Sequence, residues 1–265
     1  MNSNALVIID PQNDFCDRRG SLYVEGAEAD VERLSKYIAR AGGTKSNMEI
    51  SAISAIFVSL DSHDPVAIFH PVFWTNEAGE CPVPFSQITP ADFRSKKWKA
   101  AMPENAPFAE RTFKVLEAKG FTLTVWPEHC IVSTWGHQVA EPLLRAFKIW
   151  REKTGLPVRY VFKGENPYTD QFSAFEGVDG LYPETAFNEN VFARLAPFEQ
   201  VTFAGEALSH CVGESILSYR RRLGKARQRV RLLADCTSPV GGFDRDASLR
   251  LLQDAGVELV VAEEN

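Results

Sequence analysis

Three of the strongest strand signals in this chain run straight into a reactive side chain. Ala5-Leu-Val-Ile-Ile9 leads into Asp10, Val158-Arg-Tyr-Val-Phe162 into Lys163, and Val201-Thr-Phe-Ala204 through Gly205-Glu-Ala-Leu-Ser-His210 into Cys211. If the strands are parallel, a carboxylate, an ammonium and a thiol share one edge of a sheet, where open α/β sheets bind ligands. That trio suits nucleophilic catalysis. Cys211 lies between a strand and the helix that opens Val212-Gly-Glu-Ser-Ile216. A helix N-terminus lowers a thiol's pKa, and its free N–H groups can hold an oxyanion. On position alone, a buried apolar cysteine is an equal reading. Asp10 next to a thiol can take its proton and return it to a leaving amine, and Lys163 steadies both as anions.

A second group is Asp61, His63 and His129. Asp61-Ser-His63 closes another apolar strand, and His129 sits in Trp126-Pro-Glu-His-Cys130. One carboxylate and two imidazoles, with open positions for water, suit Zn²⁺ or a similar divalent ion. His70 and His137 are weaker candidates. Phe15, Phe69, Phe73, Trp74, Trp126, Phe172 and Phe175 crowd the same loops. Most belong to packing; Phe15, Trp74 and Phe172 are the candidates for the flat wall of a pocket for an aromatic ring.

The elements that must position these groups read as follows. A helix is predicted over about Gly26–Ala41, with Ala27, Val31, Leu34 and Ile38 at helical spacing. A doubly buried strand is predicted over about Ala52–Leu60. The stretch from Asp61 to Trp98 holds Pro65, Pro71, Pro82, Pro84 and Pro90 and reads as mostly loop. So long a loop is usually functional, and residues 74–120 are expected to form an insertion or lid within one domain spanning 1–265. Helices follow at about Pro107–Lys119 and from after Cys130 to about Thr154, each stopped by a glycine. A regular series then runs: strand Pro157–Lys163, helix Glu189–Leu195, strand Gln200–Gly205, helix from near Cys211 to Leu223, strand Arg229–Ala234, helix Arg245–Ala255, strand Val257–Val261. The alternation predicts a parallel sheet with helices on both faces.

The 265 residues, 45% hydrophobic and 24% charged, are enough for a sizeable core. A net charge of -6 argues against a nucleic-acid or anionic-membrane surface. The basic run Arg220-Arg-Arg222 reads as the solvated end of a helix. Five widely spaced cysteines with no CxxC pair argue against a disulfide framework and for a reducing compartment, the cytoplasm. No signal peptide or membrane span is read. Neither GxGxxG nor GxxxxGK[ST] is present, which disfavours a nucleotide cofactor.

Taken together, the segments resemble the isochorismatase-like cysteine hydrolases, and within them the nicotinamidases. The matches are Asp10-Pro-Gln-Asn-Asp-Phe15, Ser59-Leu-Asp-Ser-His63, Trp126-Pro-Glu-His-Cys130, Lys163-Gly164 with Pro167, Asp170 and Phe172-Ser-Ala-Phe175, and Ala207-Leu-Ser-His-Cys-Val212. They occur in the family's order and span most of the chain. The resemblance implies a three-layer αβα, Rossmann-like sandwich with a six-stranded parallel sheet. It implies a catalytic trio of Asp10, Lys163 and Cys211, and a metal on Asp61, His63 and His129, zinc being the first choice. It further implies a cis peptide before Ala207, an oxyanion hole from the N–H groups of Ala207 and Cys211, and a homo-oligomer. The substrate would be a small aromatic amide, nicotinamide first. Another amide or ureido compound, and a non-catalytic binding protein on the same fold, remain open. Two departures stand out. The family usually places a second His four residues after SxDxH, where this chain has Val66 and Ala67, with His70 later. Ser209 and His210 precede Cys211 where an acidic residue and Tyr are common.

Overall fold

The computed structural model describes residues 3–41, 53–178 and 182–262. Its centre is a six-stranded parallel sheet built from β1 (Asn4–Ile9), β2 (Ile53–Asp61), β3 (Arg159–Lys163), β4 (Gln200–Gly205), β5 (Arg229–Leu233) and β6 (Glu258–Val260). The spatial order is β6-β5-β4-β1-β2-β3, and every neighbouring pair is parallel. The predicted start of β2 at Ala52 lies outside the described residues.

The sheet is sandwiched because its central strands are apolar on both faces. Leu6 and Ile8 of β1, with Ile56, Val58 and Leu60 of β2, enter one core cluster. Ala5, Val7 and Ile9, with Ala55 and Phe57, enter the other. This alternation is the two-residue period of a strand read out in burial. On the first face lie α1 (Ala27–Ala41), packing Val31, Leu34 and Ile38, and α3 (Glu141–Thr154), packing Leu143, Phe147 and Trp150. On the second lie the short helix Glu189–Leu195, α4 (Gly213–Leu223) and α5 (Arg245–Asp254), with Val191, Ile216, Tyr219 and Leu252. Burying side chains of this size stabilises by about 1.5–3 kcal/mol each before the entropy of ordering is counted.

Residues 74–120 are more ordered than their proline content suggests. Trp74–Thr75 pairs antiparallel with Lys99–Ala100, and Gln87–Ile88 with Leu123–Thr124. A short helix, Pro90–Arg94, and α2 (Ala106–Lys119) complete this stretch. Thr89 caps Pro90–Arg94 with a reciprocal capping box to Asp92. Aromatic rings fill its interior: Phe93 stacks on Phe113 at 4.6 Å, and Trp74 meets both edge-on.

The helix expected to start just after Cys130 starts at Glu141 instead. Cys130 and Ser133 have positive φ, so the chain there turns rather than coils. Bridges from His63 to Ile131 and from Gln12 to Val139 pin the two ends of a run of turns, residues 131–139. Pro142 then sits in the helix's first turn, where its missing N–H costs nothing. No helix of the described residues is long and apolar enough to cross a membrane.

Candidate active site

Four adjacent strands end in the groups singled out by spacing. Asp10 follows β1, Asp61 closes β2 and Lys163 closes β3, paired in register with Asp61. Beyond β4 the backbone turns at Gly205 and makes one wide π-helical turn, Leu208–Val212, before α4. Cys211 sits in that turn. Asp10, Asp61, Lys163 and Cys211 are all buried.

Lys163 is the hub. Its Nζ lies 2.9 Å from Asp10 Oδ2 and donates to Asp61 Oδ1 at 2.8 Å, to the Gln171 carbonyl at 3.0 Å and toward Cys211 Sγ at 3.6 Å. Burial alone would favour the neutral amine, but Asp10, Asp61 and Cys211 hold the ammonium well above the usual lysine range. Burial likewise favours a neutral Asp61, yet the Lys163 ammonium opposes it and this carboxylate is held well below the usual range. Asp10 behaves differently. Burial raises it against the opposing charge of Lys163, with Asp61 adding to the rise. Its Oδ1 accepts the Ser59 hydroxyl at 2.6 Å, and its own N–H donates to Ser59 Oγ at 3.0 Å. Two carboxyls around one ammonium thus have opposite proton appetites, as a proton-carrying base and a fixed anion require.

The helix N-terminus was expected to lower the Cys211 thiol. In the structure burial pushes it well up, Asp10 and Asp61 push further, and Lys163 only partly opposes them. Burial comes first, and two carboxyls within 4.8 Å of the sulfur add to it. The resting group is the thiol, and a neighbour must take its proton for it to attack.

Beside this cluster three imidazoles converge. Ring nitrogens of His63, His70 and His129 lie within 4.8 Å of one another, all buried. His63 Nδ1 faces the His129 carbonyl at 3.1 Å, His129 Nδ1 the Pro127 carbonyl at 2.7 Å, and His70 Nδ1 the Pro65 carbonyl at 3.3 Å. A carbonyl only accepts, so each Nδ1 carries the hydrogen and each Nε2 presents a lone pair. His63 Nε2 then faces Asp61 Oδ1 at 2.9 Å and His129 Nε2 faces Asp61 Oδ2 at 3.7 Å, acceptor against acceptor. His70 Nε2 is buried with no hydrogen-bond partner among the described residues. Burial lowers His63, and it lowers His70 to about 3, so neither ring readily takes the proton that would relieve the site. Backbone carbonyls that fix the imidazole tautomers are the usual outer support of a metal centre. Three nitrogens and one carboxylate oxygen fit a divalent cation that favours imidazole. Asp61, His63 and His129 are therefore brought together as expected. His70, the weaker candidate by spacing, completes the set.

No family model matches the chain. A curated relative, the nicotinamidase/pyrazinamidase of Mycobacterium tuberculosis, is 28% identical over 258 residues, covering 97% of each protein. Among solved structures, yeast nicotinamidase bound to the inhibitor nicotinaldehyde superposes with a TM-score of 0.68 at 19% identity, over 97% of this chain and 99% of that one. Pyrazinamidase of Pyrococcus horikoshii in complex with zinc gives 0.55 at 17%, over 98% and 99%. The chain is thus similar over nearly its whole length to the nicotinamidase/pyrazinamidases and shares their fold.

In this site the first motif is mainly scaffold. The Gln12 amide brackets Asp61, donating to its carbonyl at 2.7 Å and accepting its N–H at 2.7 Å. Asp14 Oδ2 accepts the N–H of Cys130, which fixes the backbone next to His129. Gly164 has φ +72, and a Cβ there would stand 2.6 Å from Asp61 Oδ1 and 2.7 Å from His63 Nε2. Only glycine lets the chain leave Lys163 past these two groups. The Glu206–Ala207 peptide is cis, as the resemblance implied.

A small cavity of about 30 Å³ opens over the thiol, room for one or two waters. Phe15, Trp126, Phe172, Ala207 and His210 line it with Cys211, Asp61 and His129. Trp126 meets Phe172 and His210 edge-on. Trp74, expected in this wall, is not there. It is fully buried against Phe93 and Phe113, its Nε1 donating to the Ile68 carbonyl at 2.6 Å. Trp126 takes the place assigned to it; its neighbours Pro127 and His129 in the same motif were the signal. Asp170 also lines the cavity and accepts from Trp126 Nε1; burial, then Asp61, lifts it to about 6. None of the cavity's lining residues comes from 74–120. A larger groove of about 730 Å³ between α2 and α4 shares only Asp170 and Phe172 with the cavity and holds none of Asp10, Lys163 and Cys211. Size does not locate the chemistry here.

Proposed function

We propose that this chain is a metal-containing cysteine amidohydrolase that converts nicotinamide, or a close aromatic amide, to the acid and ammonia. The observation that carries the reading is the meeting of Asp10, Lys163 and Cys211 beside the four-residue metal nest. The M. tuberculosis relative and the yeast and archaeal neighbours support the substrate class.

In this reading Asp10 takes the proton of the Cys211 thiol. The thiolate attacks the amide carbon, and the N–H groups of Ala207 and Cys211 hold the resulting oxyanion. The C–N bond breaks as Asp10 gives its proton to the departing ammonia. A water then attacks the thioester carbon while Asp10 takes its proton. The C–S bond breaks, the acid leaves, and the proton returns to sulfur. Lys163 stays charged and keeps both carboxylates buried as a working pair. Phe15 and Phe172, with Trp126, flank the ring. Asp61, His63, His70 and His129 would hold the ion, zinc being our assignment; when bound it supplies a Lewis acid for a ring nitrogen and for water. The cytoplasm is the compartment we assign, supported by five free cysteines. We also infer a homo-oligomer, supported by the open edge at β3, where Tyr160 and Phe162 are exposed.

The test is ammonia release from nicotinamide by wild type and Cys211→Ala. Release that falls by about 10³-fold or more in the variant is expected for loss of a nucleophile. No release from metal-loaded wild type would overturn nicotinamide as the substrate, and a variant with near-normal rates would overturn the role of Cys211.

A further inference from the structure

A second pair of buried carboxyls lies behind the reactive turn, and the reaction above makes no use of it. Glu206 is the residue just before Ala207, and its side chain is 1% exposed. It points away from the cavity toward Asp30 on α1, which is 3% exposed and within hydrogen-bond reach.

Among the described residues only Asp30 of the two acids is ion-paired. The Asp30 Oδ1 is paired with the Arg33 guanidinium, and Asp30 Oδ2 accepts the Ser238 hydroxyl at 2.6 Å. Glu206 Oε2 accepts the Ser238 N–H at 3.1 Å, and Oε1 is buried with no partner. The other groups facing Glu206 are the Cys16 thiol and Arg245. Arg245 is committed to the carbonyls of Thr237 and Ala234. An ionised, unpaired carboxylate at this depth costs several kcal/mol. A carboxylic acid here would instead donate from Oε1 to Asp30 and satisfy both. The direction of titration agrees: burial, then Asp30, pushes Glu206 well above the usual range.

The pair reaches the reacting thiol through backbone. Ser238, held by both acids, accepts the Leu208 N–H on its carbonyl at 2.9 Å, and Val240 N–H donates to Ser209 Oγ at 3.0 Å. Residues 238–240 therefore clamp the turn that carries Ala207 and Cys211. We propose that Glu206 is held as the neutral acid, shares one proton with Asp30, and acts as a positioning residue for the Ala207–Cys211 turn. This rests on Cys211 being the reacting group, but its test does not depend on the substrate.

Two measurements decide it. Infrared difference spectra of wild type against Glu206→Gln at neutral pH should show the carbonyl stretch of an un-ionised carboxyl in wild type alone; its absence would overturn the shared proton. Iodoacetamide alkylation of Cys211, followed site by site by mass spectrometry, reads the turn. Glutamine keeps both the donor and the acceptor, so Glu206→Gln should alkylate within about twofold of wild type, whereas Glu206→Ala should slow by about 10- to 100-fold through misplacement. If Gln is as damaging as Ala, or Ala as fast as wild type, positioning is overturned. Should the Ala variant fail to fold, the infrared band and the Gln rate still decide. Wild-type protein that released no ammonia yet gave both results would refute the nicotinamide reading and leave this one intact.

Discussion

Asp61 and Lys163 are partners in register at the ends of neighbouring parallel strands, and their side chains meet at 2.8 Å. This one contact joins the metal nest to the thiol site. Asp61 faces His63 and His129 on one side, while Lys163 faces Asp10 and Cys211 on the other. A cation fixed between two buried carboxylates is more than a catalytic accessory.

Removing it leaves two buried anions without a partner, a change that typically costs about 3–5 kcal/mol. Lys163→Ala is therefore expected to lose activity and stability together, by roughly that amount in urea unfolding. Lys163→Arg should rescue neither, because a planar fork cannot replace a compact ammonium among four partners. An Arg variant with wild-type stability and turnover would show that the site needs only a positive charge.

His70 and His137 separate the metal nest from its surroundings. His70 Nε2 is buried and unpartnered among the imidazoles. His137 Nε2 is 2.9 Å from Ser62 Oγ, outside that cluster. His70→Ala should lower the metal content of purified protein and weaken affinity by about 10-fold or more, while His137→Ala should stay fully loaded. Equal loading of the two variants, measured by elemental mass spectrometry, would remove His70 from the site.

These two residues also mark how far the sequence could be read. Asp10, Lys163 and Cys211 were legible because each ends an apolar run, and parallel strands must bring such ends together. The helix pattern was legible for the same reason, down to Glu189–Leu195. His70 was not, because its position depends on a loop without periodicity. That loop is pinned by Ile68 N–H on the Pro167 carbonyl and Trp126 N–H on the Phe69 carbonyl, contacts far apart in sequence. Trp74 misled because an aromatic in a loop reads alike whether it faces a pocket or an insertion's own core. The Cys211 thiol misled in sign, because a helix terminus is visible in sequence, whereas the depth of burial and two converging carboxyls are not.

Asp170 predicts a pH dependence. Burial, then Asp61, raises it from the ordinary aspartate value to about 6. A raised acid binds more protons folded than unfolded, so its contribution to stability falls as pH rises from about 4 to about 6 and is constant above. Asp170→Asn removes that titration and keeps an acceptor for Trp126 Nε1. In metal-free protein, the stability of the variant relative to wild type should rise across this window by up to about 3 kcal/mol. Denaturant curves at pH 4 and pH 7 check it. A variant whose relative stability were the same at both would mean that Asp170 titrates as it does in water.

Gly164 offers the sharpest test of the nest as a metal centre. Its φ of +72 disfavours any side chain, at a cost of about 1 kcal/mol. That cost alone predicts a modest loss of stability and nothing more. The added Cβ, however, would stand 2.6 Å from Asp61 Oδ1 and 2.7 Å from His63 Nε2. Both are atoms we assign as ligands, so the methyl must push apart the very pair that would share the ion. Gly164→Ala should thus keep its circular dichroism spectrum and lose metal affinity far out of proportion to its unfolding energy. Metal titration and thermal melting of the same preparation separate the two effects. If affinity drops only in step with stability, Gly164 serves the backbone turn alone; if affinity collapses in a folded protein, the glycine is there to leave room for the ion.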